Sequence, residues 1–155
     1  MLKLKFRIFI IAALICSLLT PWAANAAYTS TPSYGQCFMH TRSDVSASSP
    51  QKNPISCSKS HNSETYYVGT WPSSSPPWKM TDKEALDLAV SVCNSDYALS
   101  NLSYDFNWWA WFVPSKTAWS TGKRWLRCDG MIVTNIRTAK STADYKFKTW
   151  NGAKL

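Results

Sequence analysis

Histidine, glycine and long apolar runs are scarce in this sequence, and each scarcity removes a chemistry. His40 and His61 are the only histidines, and no His-Glu-x-x-His zinc motif exists. The five glycines never cluster, so there is no glycine-rich phosphate loop, and no serine sits in a Gly-x-Ser-x-Gly elbow. No second apolar stretch follows Leu19, which leaves nothing of the roughly 20 residues needed to span a bilayer. The acids that do group together, Asp82, Glu84 and Asp87, have an ordinary account at the start of a helix.

The N-terminus is rich where the rest is poor. Lys3, Lys5 and Arg7 precede an apolar run from Ile8 to Leu19, Pro21 breaks it, and Ala24-Asn25-Ala26 offers small residues before Ala27. That is the pattern of an export signal over residues 1–26. Cys16 follows Ile15 rather than a small residue, so no lipoprotein site is read. Cleavage would leave about 129 residues, one domain with a real core. The formal charge of +8 would lose three basic residues and fall to +5. The expected product is extracytoplasmic, with no transmembrane anchor after cleavage.

That compartment decides how the cysteines are read. Beyond the leader the chain holds Cys37, Cys57, Cys93 and Cys128. An even count in an oxidising setting predicts two disulfides rather than a metal site. Three pairings remain open; Cys37–Cys57 with Cys93–Cys128 is expected, because it staples two local units without crossing. Cys57 and His61 have a spacing that suits zinc or an activated thiol, but the compartment favours the disulfide, and neither metal nor cofactor is predicted.

Strands are predicted at Gly35–Met39 and Glu64–Trp71, separated by an irregular polar loop from His40 to Asn53. The proline-rich stretch Trp71–Trp78 reads as a surface loop with its tryptophans folded back. Thr81-Asp82-Lys83-Glu84 matches a capping box and opens a helix to about Ala98. Its apolar face is predicted from Leu86, Ala89, Val90, Cys93 and Tyr97. In the aromatic run that follows, strand geometry puts Tyr104, Phe106, Trp108, Ala110 and Phe112 on one side and Trp109, Trp111 and Val113 on the other. Lys123–Cys128 and Met131–Val133 are further strand candidates, with Asp129 as a turn residue between them. Residues 134–155 are a basic C-terminal tail or an added strand. The fold class is therefore α+β: a small antiparallel sheet with one amphipathic helix, stabilised by two disulfides.

Two groups of side chains are candidates for function. His61 and Glu64 form a pair able to do acid–base work, or simply to fix the turn after Cys57. Trp119, Arg124, Trp125 and Arg127 interleave aromatics with base and form a candidate ligand surface for sugar or polyanion. Nucleic acid is an unnatural partner for an exported chain; cell-wall polymer or envelope proteins fit the same charges better.

Gly35-x-Cys37-Phe38, Ile55-x-Cys57-x-x-x-His61-x-x-Glu64, a helix bearing Cys93, and Pro114-x-x-x-x-Trp119-x-x-Gly122-x-Arg124-x-x-x-Cys128 occur in that order. Over about residues 34–133 the chain resembles the septum-formation-related domain of bacterial cell-envelope proteins, giving a domain at 27–133. The resemblance implies an extracytoplasmic domain linked to cell division, with no attached catalytic activity. It maps the family's cysteines onto Cys37, Cys57, Cys93 and Cys128, and its histidine and acid onto His61 and Glu64. The expected function is a non-catalytic envelope protein that binds wall or division-associated partners. The alternatives are an enzyme or inhibitor acting on wall polymer through His61 and Glu64, and a carbohydrate or polyanion binder.

Overall fold

A computed structural model describes residues 30–155 apart from Ser48, Pro50, Gln51 and Tyr104. The predicted leader, its cleavage point and the place of Tyr104 lie outside the described residues.

Four strands, β1 (Cys37–Phe38), β2 (Ser63–Thr70), β3 (Trp108–Phe112) and β4 (Trp125–Met131), form one antiparallel sheet in the order β1-β2-β4-β3. Trp125–Cys128 and Met131 are thus parts of one central strand, buried along its length, while Lys123 and Arg124 precede it outside the sheet. β3 lies at the edge yet is covered on both faces. Trp109, Trp111 and Val113 pack into one apolar cluster, while Trp108, Ala110 and Phe112 pack into the other, the division that strand alternation predicted.

One sheet face carries α2 (Asp82–Cys93), which follows α1 (Arg42–Ser46) in the chain. α2 begins on the expected capping box: the Glu84 amide donates to the Thr81 hydroxyl at 3.3 Å, and the Thr81 amide donates to the Glu84 carboxylate at 2.8 Å. Such a cap contributes about 1 kcal/mol.

Two features of this helix differ from the sequence reading. It stops at Cys93 rather than near Ala98. The Ser95 hydroxyl donates to the Val92 carbonyl at 2.8 Å and accepts from the Ala98 amide at 3.2 Å, starting a separate turn, α3 (Asp96–Leu99). Serine here offers the backbone a local alternative to continuing the helix. The buried face is also rotated. Ala85, Ala89 and Cys93 are buried, whereas Leu86, Val90 and Tyr97 are exposed. The small Ala85 and Ala89 suit close packing on the sheet, and Cys93, bonded to Cys128 of β4, fixes the helix rotation.

The other disulfide joins Cys37 of β1 to Cys57 in the loop before β2, so the expected pairing is the one found. That loop is not wholly irregular. Thr41 and Asp44 make a capping box that opens α1, from the same Thr-x-x-acid signal that marks α2. Burial works to raise the Asp44 carboxyl, but the Lys52 ammonium at 2.7 Å and hydrogen bonds from Thr41 outweigh it and hold it low.

β2 contains a bulge. Thr65 pairs with Asp129 and Tyr67 with Cys128, leaving Tyr66 as the extra residue. Tyr66 and Tyr67 can then both reach the helix-side cluster while Thr65 faces the opposite side. The Tyr66 hydroxyl donates to the Cys93 carbonyl at 2.8 Å. Burial pushes its phenol well up, and the charge of Asp129 adds to that.

The proline-rich turn folds back as expected. Trp71 stacks on Trp111 at 5.6 Å and donates its indole N–H to Ser75, and Trp78 meets Trp119 edge-on at 5.5 Å. α4 (Lys116–Ser120) follows β3 and presents Trp119 to this cluster. Beyond β4 the chain returns through single antiparallel bridges, Val133 to Phe147 and His61 to Trp150.

Candidate functional site

His61 stands just ahead of β2 and Glu64 lies in its second position, so both are set by the sheet. Both side chains are fully buried, with His61 Nε2 3.1 Å from Glu64 Oε1. The imidazole Nδ1 is 2.8 Å from the Lys59 carbonyl oxygen, closing the turn after Cys57. The ring meets Trp150 edge-on, with centroids 5.0 Å apart.

Glu64 is occupied by the far end of the chain. Its Oε1 accepts from the Trp150 indole at 2.7 Å, and its two oxygens accept from the Lys154 amide at 2.9 Å each. Oε2 also accepts from the Leu155 amide at 3.2 Å. Main-chain bonds between His61 and Trp150, at 2.8 and 2.9 Å, and from the Gly152 amide to the Cys57 carbonyl, at 2.7 Å, complete the clamp. Lys154 Nζ pairs with Asp105 at its edge. Acid–base work on a substrate needs the reacting proton within hydrogen-bond reach. Here the reach of both groups is filled by protein.

A second polar cluster on the face opposite α2 was not legible as a site. Asp129 is a central-strand residue, not a turn residue as the sequence suggested. Its Oδ2 meets Arg127 Nη2 at 2.8 Å and His40 Nε2 at 3.1 Å, and its Oδ1 accepts from the Thr65 hydroxyl at 2.8 Å. Burial alone raises the Asp129 carboxyl, yet the Arg127 charge and the His40 and Thr65 hydrogen bonds outweigh it and hold the carboxyl low. His40 stacks between Phe38 and Phe112, at 5.2 and 5.0 Å. The Arg127 guanidinium covers the same two rings at 4.0 and 4.4 Å. This cluster is enclosed and neutralised within itself, as buried charges require.

The four candidate ligand-surface residues do not form one surface: Arg124 sits on Trp119, while Trp125 and Arg127 lie on the other side of the sheet. Trp119 packs into the helix-side cluster and Trp125 into the opposite one. Arg127 is fully buried, and Arg124 is half-buried, with its guanidinium 4.1 Å over the Trp119 ring and a bond to the Trp119 carbonyl at 2.7 Å. A different region offers open surface. An indentation of about 450 Å³ lies between α1, the proline turn and α2, lined by Val45, Trp78, Asp82, Leu86 and Trp111 among others.

A family model described as Septum formation matches residues 34–148. The chain belongs to the septum-formation family. No curated protein and no solved structure matches it. The family match continues past β4 to Lys148, through the segment that brings Trp150 towards Glu64. Septum-formation membership points to a cell-division-related envelope protein, and the two disulfides fit an oxidising compartment outside the cytosol. Among the described residues no helix is long and apolar enough to cross a membrane.

Proposed function

We propose that this septum-formation protein is an exported, non-catalytic envelope component that binds a cell-wall or division-associated partner. The observation that carries the reading is the complete enclosure of His61 and Glu64, with the carboxylate shared among an indole and two main-chain amides. An acid–base pair spent on holding the segment from Trp150 to Leu155 is a structural latch. The indentation beside α2 provides a contact surface, since it combines two half-exposed indoles with an exposed carboxylate and the exposed Leu86. Aromatic groups with a few convergent polar ones are the usual make-up of a binding site.

Co-sedimentation of the purified chain with bacterial wall sacculi, paired with imaging of a tagged chain in dividing cells, tests this. Retention on sacculi or enrichment at the septum, without release of soluble wall fragments, supports binding. Leu86→Asp should weaken that retention without unfolding the protein. Release of wall fragments by the wild type that disappears in Glu64→Gln would overturn the reading, as would failure both to bind wall and to reach the septum.

A further inference from the structure

The contact between His61 and Glu64 raises a question that latching does not answer. The Lys59 carbonyl can only accept, so His61 Nδ1 carries a hydrogen. Nε2 of a neutral ring would then turn its lone pair on Glu64 Oε1, 3.1 Å away. That oxygen already accepts from Trp150 and Lys154. Two acceptors face one another at this distance only with something positive between them. A shared hydrogen or a cation between Nε2 and Oε1 meets that need.

A sulfur stands beside them. The ligating atoms of Cys37, His61 and Glu64 all lie within 4.8 Å of one another, and all three residues are buried. Thiolate, imidazole and carboxylate are the donor types of zinc, whose tetrahedral bonds of about 2.0–2.3 Å place ligand atoms roughly 3.3–3.7 Å apart. Small adjustments of these side chains would reach that geometry. The outer hydrogen bonds that orient metal ligands are also present: the Lys59 carbonyl behind the imidazole, and the indole and amides behind the carboxylate. What closes the site is the disulfide, because Cys37 bonded to Cys57 has no thiolate to give.

We propose that Cys37, His61 and Glu64 form a redox-gated site for a divalent, thiolate-accepting cation such as zinc. It is shut while Cys37 is bonded to Cys57 and opens when a dithiol reduces that bond. The dithiol supplies two electrons and two protons; the S–S bond breaks, both cysteines become thiols, and the dithiol closes to its cyclic disulfide. The cation then displaces the Cys37 thiol proton, and the hydrogen held between His61 Nε2 and Glu64, to solvent. It bonds Sγ, Nε2 and a Glu64 oxygen, with water in the fourth position. A dication between a thiolate and a carboxylate leaves no net charge, which suits a buried site. Cys57 is only half-buried and is the sulfur a dithiol can approach.

Cys57→Ser in the whole chain frees Cys37 without any reductant and leaves Cys93–Cys128 intact. Cobalt(II) is the probe, since sulfur ligation gives it a near-ultraviolet charge-transfer band. The expected result is one cobalt per Cys57→Ser chain, with that band, displaced by zinc, and none taken up by the oxidised wild type. Adding His61→Ala or Glu64→Gln should weaken uptake by at least about tenfold. A folded Cys57→Ser chain that takes up no cobalt, cobalt bound without the sulfur band, or uptake indifferent to His61 and Glu64 overturns the proposal. Should Cys57→Ser not fold unaided, recovery of native near-ultraviolet circular dichroism on adding zinc supports it. A chain unfolded with and without zinc overturns it.

Discussion

The indole N–H of Trp150 donates to Glu64 Oε1 at 2.7 Å, across a sequence separation of 86 residues. It seats Trp150 in the fold's interior, with the residues on either side exposed or half-buried, and gives the buried carboxylate a structural task.

Glu64→Gln tests that task. The amide presents an N–H where the carboxylate accepted, so at least one of the donors from Trp150, Lys154 and Leu155 loses its partner. Hydrogen bonds to a charged group contribute roughly 1.5–3 kcal/mol each. Urea unfolding should show a loss of about 3 kcal/mol, and hydrogen exchange should show the Trp150 and Lys154 amides losing protection before those of β4.

Asp129→Asn should be costlier still, because it leaves the Arg127 guanidinium buried without its counter-charge. Breaking such a pair costs about 3–5 kcal/mol. The pH dependence follows from the carboxyl being held low in the fold. Its contribution is present above the ordinary value of 3.8 and is lost as pH falls below it towards the folded value. Denaturation followed from pH 7 to pH 2 should therefore show an acid-side decline in the wild type, and a smaller one in Asp129→Asn.

Gly130→Ala probes packing on β4. A methyl there would lie 2.7 Å from Leu102 Cδ1 and 2.9 Å from Phe106 Cδ2. Overpacking of this kind costs about 1–3 kcal/mol, which thermal unfolding would register as a lower midpoint.

Removing the disulfides one at a time as paired Cys→Ala changes should separate their roles. The bridges close loops with sequence separations of 20 and 35. Chain entropy assigns them about 3 and about 4 kcal/mol respectively. Loss of Cys93–Cys128 should also free the rotation of α2, and tryptophan fluorescence of the helix-side cluster would report it.

Local signals were readable in this sequence, and long-range ones were not. Thr81 and Glu84 announce a helix start because a cap needs only residues three apart. Trp108 to Val113 divide between two faces because strand alternation is a property of consecutive residues. Of the three pairings the four cysteines left open, the one chosen for stapling local units without crossing is the one found. Asp129 was misread because its partners Arg127, His40 and Thr65 converge only once β2 and β4 are side by side. The rotation of α2 was hidden for a related reason: Leu86 and Val90 look like core residues, and the small Ala85 and Ala89 face inward only once the helix is seated close on the sheet. Thr41 and Asp44 carried a visible cap signal inside a stretch otherwise rich in serine. Nothing local marks Glu64 as the anchor of Lys154 and Leu155.

The distance in sequence between Glu64 and the residues that cover it also sets an order of events. During synthesis the carboxylate emerges long before Trp150 and Leu155, which follow 86 and 91 residues later. Until they dock, Glu64 lacks the indole and main-chain donors that cover it in the folded protein. The molecule can seal this corner only once the segment from Trp150 to Leu155 has docked, so covering Glu64 is a late step in folding rather than an early one.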